Sequence, residues 1–149
     1  MTNSNLLLMK LAKDDFDDWR ALWEKYLNFY DTQLSEEVYA KTFNRLVTKE
    51  NTSQNAIVAK YGSRMVGLVH FIFHPHNWKI EDVCYLQDLY VLDSVRGRGV
   101  GRLLIESVYE EADRRGTPTV YWLTQDFNKT ARLLYDKIAN VTPFIKYNR

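Results

Sequence analysis

Apolar side chains recur at every third or fourth position in four parts of the chain, which is the period of an amphipathic helix. The clearest case runs from Phe16 to Tyr30. Residues that favour helix N-termini precede these runs, and a glycine suited to ending a helix follows the third. The four predicted helices are 14–30 with Asp14 as N-cap, 35–47 opened by Ser35, the segment from Val100 to its end at Gly116, and 128–138 with Asp126 as N-cap.

Runs rich in β-branched and aromatic residues lie between these helices and predict strands. The predicted strands are Leu6–Leu11, Ala56–Tyr61, Met65–His74, Val83–Val91, Val120–Thr124 and a last short one at Phe144–Tyr147. The chain thus reads as a strand, two helices, a hairpin meander, and then alternating strands and helices. This order predicts a mixed α/β sheet and argues against a purely alternating, doubly wound one.

The chain has 149 residues, the size of one domain, and we assign residues 1–149 to a single domain. Lys and Arg number 20 against 19 Asp and Glu, and this net charge of +1 favours neither a nucleic acid nor a membrane surface as partner. Cys84 is the only cysteine, which indicates a reducing compartment. The N-terminus lacks a secretory pattern and the apolar runs are too short to span a bilayer. We therefore expect a soluble, cytoplasmic protein.

Three of the six glycines fall in the segment 96–101, between a predicted strand and a predicted helix. Backbone amides of such a loop, together with a helix N-terminus, form a cradle for an anion. Arg96, Arg98 and Arg102 add positive charge suited to phosphate. A flexible turn with surface arginines is the alternative, but the flanking strand and helix favour phosphate binding.

The spacing of this loop narrows the choice of ligand. A nucleotide-binding Walker loop ends in Gly-Lys-Ser/Thr, whereas Gly101 is followed here by Arg102 and Leu103. The glycines at 97, 99 and 101 also miss the Gly-x-Gly-x-x-Gly spacing of dinucleotide folds. The pattern that fits is Arg/Gln-x-x-Gly-x-Gly/Ala, with Arg96, Gly99 and Gly101 in the defining places.

With this loop, the chain resembles the GNAT family, the Gcn5-related N-acetyltransferases, over nearly its whole length. The segment 128–137 looks like the family's late Asn-x-x-Ala-x-x-Leu-Tyr motif. The segment 85–91, with Trp78 upstream, is similar to the diamine and polyamine acetyltransferases. The segment 117–122 and the late helix look like small fungal enzymes assigned to histones, polyamines and D-amino acids.

The resemblance implies a mostly antiparallel central sheet that splays at its fourth and fifth strands and is flanked by four helices. It implies acetyl-CoA as donor, with the pyrophosphate on the amides of 96–101 and the pantetheine along 89–91. No metal is expected, because His74 and His76 lack a third ligand. The residues expected to contact acetyl-CoA are Leu89, Tyr90, Val91, Arg96, Gly97, Arg98, Gly99, Val100, Gly101, Arg102, Asn128, Ala131, Leu134, Tyr135 and Lys137.

Two residues are expected to move protons. The family's tyrosine at the place of Tyr135 protonates the departing thiolate, and a neutral phenol can do this because its pKa exceeds that of a thiol. Asp88, close along the strand, is the best carboxylate for deprotonating the acceptor amine. The alternatives are a packed tyrosine and a structural acid. The polyamine relatives carry Glu where this chain has Gln87, which cannot act as a base, so both the base and a polyamine substrate stay open.

The acceptor site is expected to be aromatic and acidic. Aromatic rings attract a cationic amine through their faces, and a carboxylate can pair with it. The residues predicted to surround the amine are Tyr26, Tyr30, Asp31, Trp78, Tyr85 and Gln87, with Trp23 as a further aromatic. The alternative is that most of these aromatics belong to the core.

The sequence therefore predicts an N-acetyltransferase that moves the acetyl group of acetyl-CoA to a primary amine by direct attack. The acceptor is a small molecule, such as a diamine, a polyamine or an amino acid, or an exposed peptide amine. A catalytically silent acyl-CoA-binding module is the alternative, kept open by Gln87. A homodimer that uses the segment 144–147 is expected.

Overall fold

The computed structural model describes residues 5–149. Five strands and four α-helices follow one another in the predicted order. They are β1 (Leu6–Lys10), α1 (Phe16–Phe29), α2 (Glu36–Val47), β2 (Gln54–Tyr61), β3 (Arg64–His74), β4 (Val83–Val91), α3 (Val100–Arg114), β5 (Val120–Tyr121) and α4 (Lys129–Ile138). Within residues 5–149, none of the helices combines the length and the apolar character that crossing a bilayer requires.

The sheet has the strand order β1-β2-β3-β4-β5, and only its last pair is parallel. β5 pairs with β4 at two positions, Cys84 with Val120 and Tyr85 with Tyr121. β4 continues six residues beyond Tyr85, to Val91, and no strand within residues 5–149 lies beside this part on that edge. The predicted splay between the fourth and fifth strands is therefore present, and it leaves a gap along the second half of β4.

Each face of the sheet has its own core. On one face, Leu104, Ile105 and Val108 of α3 pack on buried side chains of β3 and β4, with Leu134 and Tyr135 of α4 at the margin. On the other face, the buried aromatics of α1 and α2 pack on β2 and β3. Burial of these apolar side chains is the main force that fixes the helices to the sheet.

A β-bulge in β4 lies between the two halves of the strand. His70 of β3 pairs with Asp88, and the next residue, Phe71, pairs with Leu86. Gln87 is thus the extra residue. Cys84 and Leu86 face the α3 core before the bulge, and Leu89 and Val91 face it after the bulge, so the bulge reverses the alternation of the strand. Asp88 consequently points to the α1–α2 face beside His70.

Several predicted boundaries are wrong. The predicted fifth strand, Val120–Thr124, is only two residues long, and the segment 144–147 is not a strand. Asp14 is not the cap of α1. Instead a short 3-10 turn, Lys13–Asp15, precedes the helix, and Asp15 accepts a hydrogen bond from the Ala12 amide at 2.9 Å. Asp126 does not cap α4 either, because the N-cap is Asn128. Ser35 does cap α2, accepting from the Val38 amide at 3.3 Å.

Candidate active site

The glycine loop presents a row of free backbone amides at the start of α3. Gly97 and Gly99 have φ of 80° and 81°, a conformation that side chains rarely adopt, and Gly99 is the N-cap of the helix. The amide of Leu103 donates to the Gly99 carbonyl at 3.1 Å and begins the helical ladder. Among residues 5–149, no acceptor faces the amides of 97–102. This arrangement of donors is an anion site without a protein partner.

The three arginines of the loop are all expected from the sequence to attract phosphate, but their surroundings in the structure differ. Arg96 donates to the Val91 carbonyl at 3.0 Å and pairs with Asp93 at 2.7 Å. Arg102 pairs with Glu106 at 2.8 Å, one turn along α3. Arg98 is exposed and has no ion pair with any described residue. Arg98 is therefore the arginine whose charge is available to a bound anion.

The gap between β4 and β5 exposes the edge of β4 next to this loop. The Leu92 amide donates to the Val66 carbonyl at 2.9 Å, toward β3. Because backbone groups alternate along a strand, the amides of Leu89 and Val91 point the other way, into the gap. Each can donate to a ligand that lies there as an added strand would.

α4 closes the far side of the gap. A Cβ atom placed on Gly101 would lie 3.9 Å from side-chain carbons of both Leu134 and Val91, so these three residues meet at the mouth of the gap. The side-chain nitrogen of Asn128, the N-cap of α4, donates to the Thr124 hydroxyl at 3.2 Å. Ala131 is half-buried on the same helix, and Lys137 is exposed toward its end.

Tyr135 of α4 lies half-buried against the Trp122 ring, with 5.3 Å between ring centroids in an edge-to-face arrangement. Burial, and to a lesser degree Tyr30, raises the pKa of the Tyr135 phenol above its ordinary value. A phenol with a raised pKa keeps its proton at neutral pH and can donate it. Tyr30, the residue that follows α1, lies close enough to contribute to this shift.

A buried pair lies on the opposite side of β4. His70 and Asp88 are 5% and 8% exposed, and Nδ1 of His70 lies 2.8 Å from the Asp88 carboxylate. Nε2 of the same ring lies 3.0 Å from the indole N–H of Trp19. Since an indole nitrogen can only donate, Nε2 must be the acceptor and Nδ1 must carry the hydrogen. The imidazole thus donates to Asp88.

The Tyr26 phenol lies beside Asp88. Burial and, to a lesser degree, the nearby Asp88 carboxylate raise the pKa of Tyr26. Its ring packs edge-on against Tyr30 at 5.1 Å and near Tyr90 at 6.2 Å. The groups next to Asp88 are therefore a neutral imidazole that donates to it and a neutral phenol.

The remaining predicted acceptor residues are only partly brought together. Tyr85 stacks on Tyr121 at 5.0 Å, and its proximity to Asp88 contributes to a raised Tyr85 pKa after the larger effect of burial. Gln87 is exposed at the bulge. Asp31 is exposed in the turn after α1, with φ of 53°.

Trp78 is 89% exposed in the loop before β4, and its ring packs edge-on against His76 at 5.5 Å. Trp23 belongs to the core, with 7% exposure, as the alternative reading of the aromatics predicts. The aromatic side chains next to Asp88 are the tyrosines Tyr26 and Tyr85.

Sequence reasoning missed four residues here: Trp19, His70, His74 and Tyr121. Nε2 of His74 accepts from the Tyr121 hydroxyl at 2.8 Å, which fixes the ring that stacks on Tyr85. His70 lies on β3, the strand paired with β4, so the sequence could have suggested it as a neighbour of Asp88. That suggestion needs the pairing register of β3 and β4, and the bulge at Gln87 shifts this register by one residue.

A cavity of about 200 Å³ lies beside the pair and is lined by His70, Gln87 and Asp88 together with side chains of α2 and β2. A polar cavity of this size has room for water. No group of three or more metal-ligating side chains occurs within residues 5–149.

Comparisons with known proteins agree with this geometry. A model of the acetyltransferase (GNAT) family matches residues 11–139. The D-amino-acid N-acetyltransferase HPA3 of Saccharomyces cerevisiae is 38% identical over 151 residues, covering all of this chain and 93% of its own length. The thialysine N-epsilon-acetyltransferase of Mus musculus is 33% identical over 90 residues, covering 60% of this chain and 48% of its own length.

The fold is also found in solved structures. The aminoglycoside N-acetyltransferase AAC(6')-Iy in complex with CoA superposes with a TM-score of 0.85 at 16% identity, covering 99% of this chain and 95% of that one. A likeness at that identity concerns the fold alone. The GNAT family model matches most of the chain, and the yeast relative is 38% identical along the whole of it. The chain therefore belongs to the GNAT family and is an N-acetyltransferase.

Proposed function

We propose that this enzyme transfers the acetyl group of acetyl-CoA to a primary amine of a small molecule by direct attack. The observation that supports this most strongly is the row of free amides at 97–102, placed where the gap along β4 begins. On the other face of β4, beside the gap, lies a buried carboxylate, Asp88. A site for an anionic, extended donor and a site for a cationic acceptor thus adjoin each other.

The residues of the gap suit acetyl-CoA. The loop amides and Arg98 hold the pyrophosphate, the amides of Leu89 and Val91 hold the pantetheine, and Leu134 of α4 covers it. The conformation of Gly97 and Gly99 supports this assignment, because a loop with φ near 80° at both positions aims its amides outward. Bound there, acetyl-CoA supplies the acyl group as an activated thioester.

Asp88 and Tyr135 divide the proton transfers. The acceptor ammonium gives one proton to Asp88, directly or through water in the adjacent cavity. The free amine nitrogen forms a bond to the acetyl carbon, the carbon–sulfur bond breaks, and Tyr135 gives its proton to the sulfur. The nitrogen sheds its second proton as the amide forms, which restores the phenol through solvent. The proton on Asp88 then returns to water.

Cys84 takes no part in this proposal. Its thiol is fully buried, and burial raises its pKa to about 12. A thiol that stays protonated at neutral pH is a poor nucleophile, so an acetylated cysteine intermediate is not required. This supports transfer in one step from donor to amine.

The acceptor is a cationic amine. Asp88 supplies negative charge, and Tyr26, Tyr30 and Tyr85 supply aromatic rings around it. The yeast relative is named for D-amino acids and the mouse relative for thialysine. Amino acids with an accessible amine are therefore the first acceptors to test, followed by diamines and polyamines.

A silent acyl-CoA-binding module is the second candidate, since Gln87 cannot act as a base. The position of Asp88 favours the enzyme. The bulge puts Gln87 outward and turns the next residue, a carboxylate, into the interior, where a proton acceptor is available despite the glutamine.

The test is an acetyl-transfer assay that follows thiol release across D- and L-amino acids, thialysine and polyamines. We expect turnover with a subset of the amines. Binding of acetyl-CoA without turnover on any amine would support the silent module instead. Failure to bind acetyl-CoA would refute the assignment of the loop.

We also propose a homodimer through the C-terminal segment. The side chains of Val141, Phe144, Ile145 and Tyr147 are 74–87% exposed on a segment without regular structure, and β5 offers a two-residue strand with a free outer edge. Pairing of this segment with a second copy of the chain would cover both the exposed apolar side chains and the outer edge of β5. Light scattering should give a dimer, and Phe144→Asp should shift it toward monomer. A monomeric parent protein would refute the proposal.

A further inference from the structure

We propose that His70 is a positioning residue for acetyl transfer, and that Trp19 sets its role by fixing the tautomer of its ring. This inference rests on the proposed function of Asp88. The three groups form one buried chain in which the Trp19 indole donates to Nε2 and Nδ1 donates to Asp88, at 3.0 and 2.8 Å.

Burial makes the chain directional. Trp19 is fully buried, His70 is 5% exposed, and both ring nitrogens of His70 already have partners at hydrogen-bond distance. The other tautomer would place an N–H against the indole N–H and leave Asp88 facing a lone pair. Both contacts would then be repulsive, and a buried polar group without its partner is costly. The indole therefore dictates which nitrogen donates to the carboxylate.

The consequence is a carboxylate held in one orientation. Nδ1–H of His70 holds Asp88 on the face that adjoins the gap, and the Tyr26 phenol lies beside the carboxylate. His70 donates as a neutral imidazole, so it orients the carboxylate without pairing its charge. Asp88 can then attract an ammonium ion and accept its proton. The ionisable groups around Asp88 are His70 on β3, Tyr26 on α1 and Tyr85 on β4. The side chains that α2 and β2 contribute to the adjoining cavity, such as Thr42 and Gln54, do not titrate.

Two substitutions separate the two hydrogen bonds of the ring. His70→Asn keeps an N–H at the place of Nδ1 and loses the acceptor for Trp19. His70→Gln puts a carbonyl oxygen near the place of Nε2 and loses the donor to Asp88. We expect His70→Gln to lower kcat/KM for the amine about 10- to 100-fold, and His70→Asn to keep most of it, because a hydrogen bond to a charged group is the stronger of the two. The Kd for acetyl-CoA should not change in either variant.

Trp19→Phe removes the indole N–H, and Trp23→Phe is its matched control. Trp23 lies on the same helix with its ring 5.1 Å from His70, but its indole nitrogen has no acceptor among the described residues. Both changes trim a buried indole and should lower the Tm. Only Trp19→Phe should alter the pH profile of kcat/KM.

The pH profile distinguishes positioning from packing. A carboxylate that has lost a hydrogen-bond donor holds its proton more tightly. The acidic limb of kcat/KM should therefore move to higher pH in His70→Gln and, less, in Trp19→Phe, with the same acceptor amine throughout. If the acidic limb of kcat/KM stays in place in both His70→Gln and Trp19→Phe, the proposal is overturned. A shift of this limb in Trp23→Phe equal to that in Trp19→Phe would overturn it as well.

Nitrogen NMR of the imidazole reads the tautomer without reference to activity. The parent protein should carry the hydrogen on Nδ1, and Trp19→Phe should give a mixture. A parent protein with the hydrogen on Nε2 would overturn the proposal even if the enzyme is active. A parent protein with the expected tautomer but no turnover on any amine would overturn it too, and would do so through failure of the proposed function, a result distinct from a wrong tautomer.

Discussion

The two faces of the sheet each bury a carboxylate to the same extent, and the partners differ. Asp88, on the α1–α2 face, accepts from His70, lies beside the Tyr26 phenol, and has no arginine or lysine partner among residues 5–149. Glu111, on α3, accepts from Arg114 and from Arg115, the latter at 3.2 Å. Hydrogen bonds from the two arginines lower the pKa of Glu111.

This difference distinguishes a carboxylate suited to catalysis from one that stabilises the fold. A carboxylate between two guanidinium groups stays ionised and has a structural role. Arg115, one of its partners, also donates to the Thr52 carbonyl at 2.7 Å and so connects the end of α3 to the loop before β2. A carboxylate held by neutral donors keeps an unpaired charge that a substrate cation can use. The variants below test that separation.

The largest effect is expected for Asp88→Asn, which keeps the shape of the side chain and removes the proton acceptor. We expect kcat/KM for the amine to fall about 10²–10⁴-fold, the usual contribution of general acid–base catalysis. The Kd of acetyl-CoA, titrated by calorimetry, should stay within about twofold because the donor lies on loop and strand amides. Activity near that of the parent enzyme would make Asp88 as structural as Glu111.

The next effect concerns Tyr135→Phe, which removes one oxygen and keeps the ring against Trp122. We expect kcat on a slow acceptor to fall about 10²-fold, at the lower end of the range for acid catalysis, because thiols leave readily. The Tm and the Kd for acetyl-CoA should hardly move. Parent-level turnover on an acceptor for which chemistry limits the rate would leave Tyr135 as a packing residue.

Tyr135 also sets an expectation for pH. Its pKa is raised from 10.0, so the protonated phenol that acts as the acid is fully present below that pH. The rate with a slow acceptor should therefore not decline between about pH 8 and 10 for want of this proton. A decline in that range that disappears in Tyr135→Phe would contradict the raised value.

A smaller effect, of about tenfold in the Kd for acetyl-CoA, is expected for Gly99→Ala. Its φ of 81° costs an alanine about 1–2 kcal/mol, which distorts the amide row. Gly62→Ala, with φ of 60° in the β2–β3 turn outside the loop, is the matched control for backbone strain alone. Equal losses of affinity in both variants would sink the assignment of the cradle.

The smallest effect on activity is expected for Glu111→Gln, which should leave kcat/KM within about twofold and lower the Tm by roughly 3–6 °C. Because the folded pKa of Glu111 lies below 4.5, its stabilisation is present above that pH and is lost as the pH falls through the folded value. The Tm difference between parent and variant should therefore shrink in acid. If the Tm difference stays constant as the pH falls, the lower stability of Glu111→Gln comes from altered packing and not from the lost charge.

The donor side of the site is readable in the sequence, and the acceptor side is not. A phosphate cradle uses backbone amides of consecutive residues, so the glycines at 97, 99 and 101, together with the predicted strand and helix on either side, point to it. The chain of Trp19, His70 and Asp88 joins residues up to 69 positions apart on three elements, and only the packing of α1 on the sheet unites them.

The bulge makes Gln87 a spare residue of β4. Leu86 pairs with Phe71 and Asp88 pairs with His70, and these two partners are adjacent in β3. Deletion of Gln87 would therefore leave a regular ladder in which Asp88 stays beside His70 and Leu89 stays beneath α3. Deletion of Asp88 instead would let Gln87 occupy the place beside His70, where an amide cannot accept a proton. Loss of one codon at position 87 should thus be tolerated, and loss of the next should abolish the proposed base.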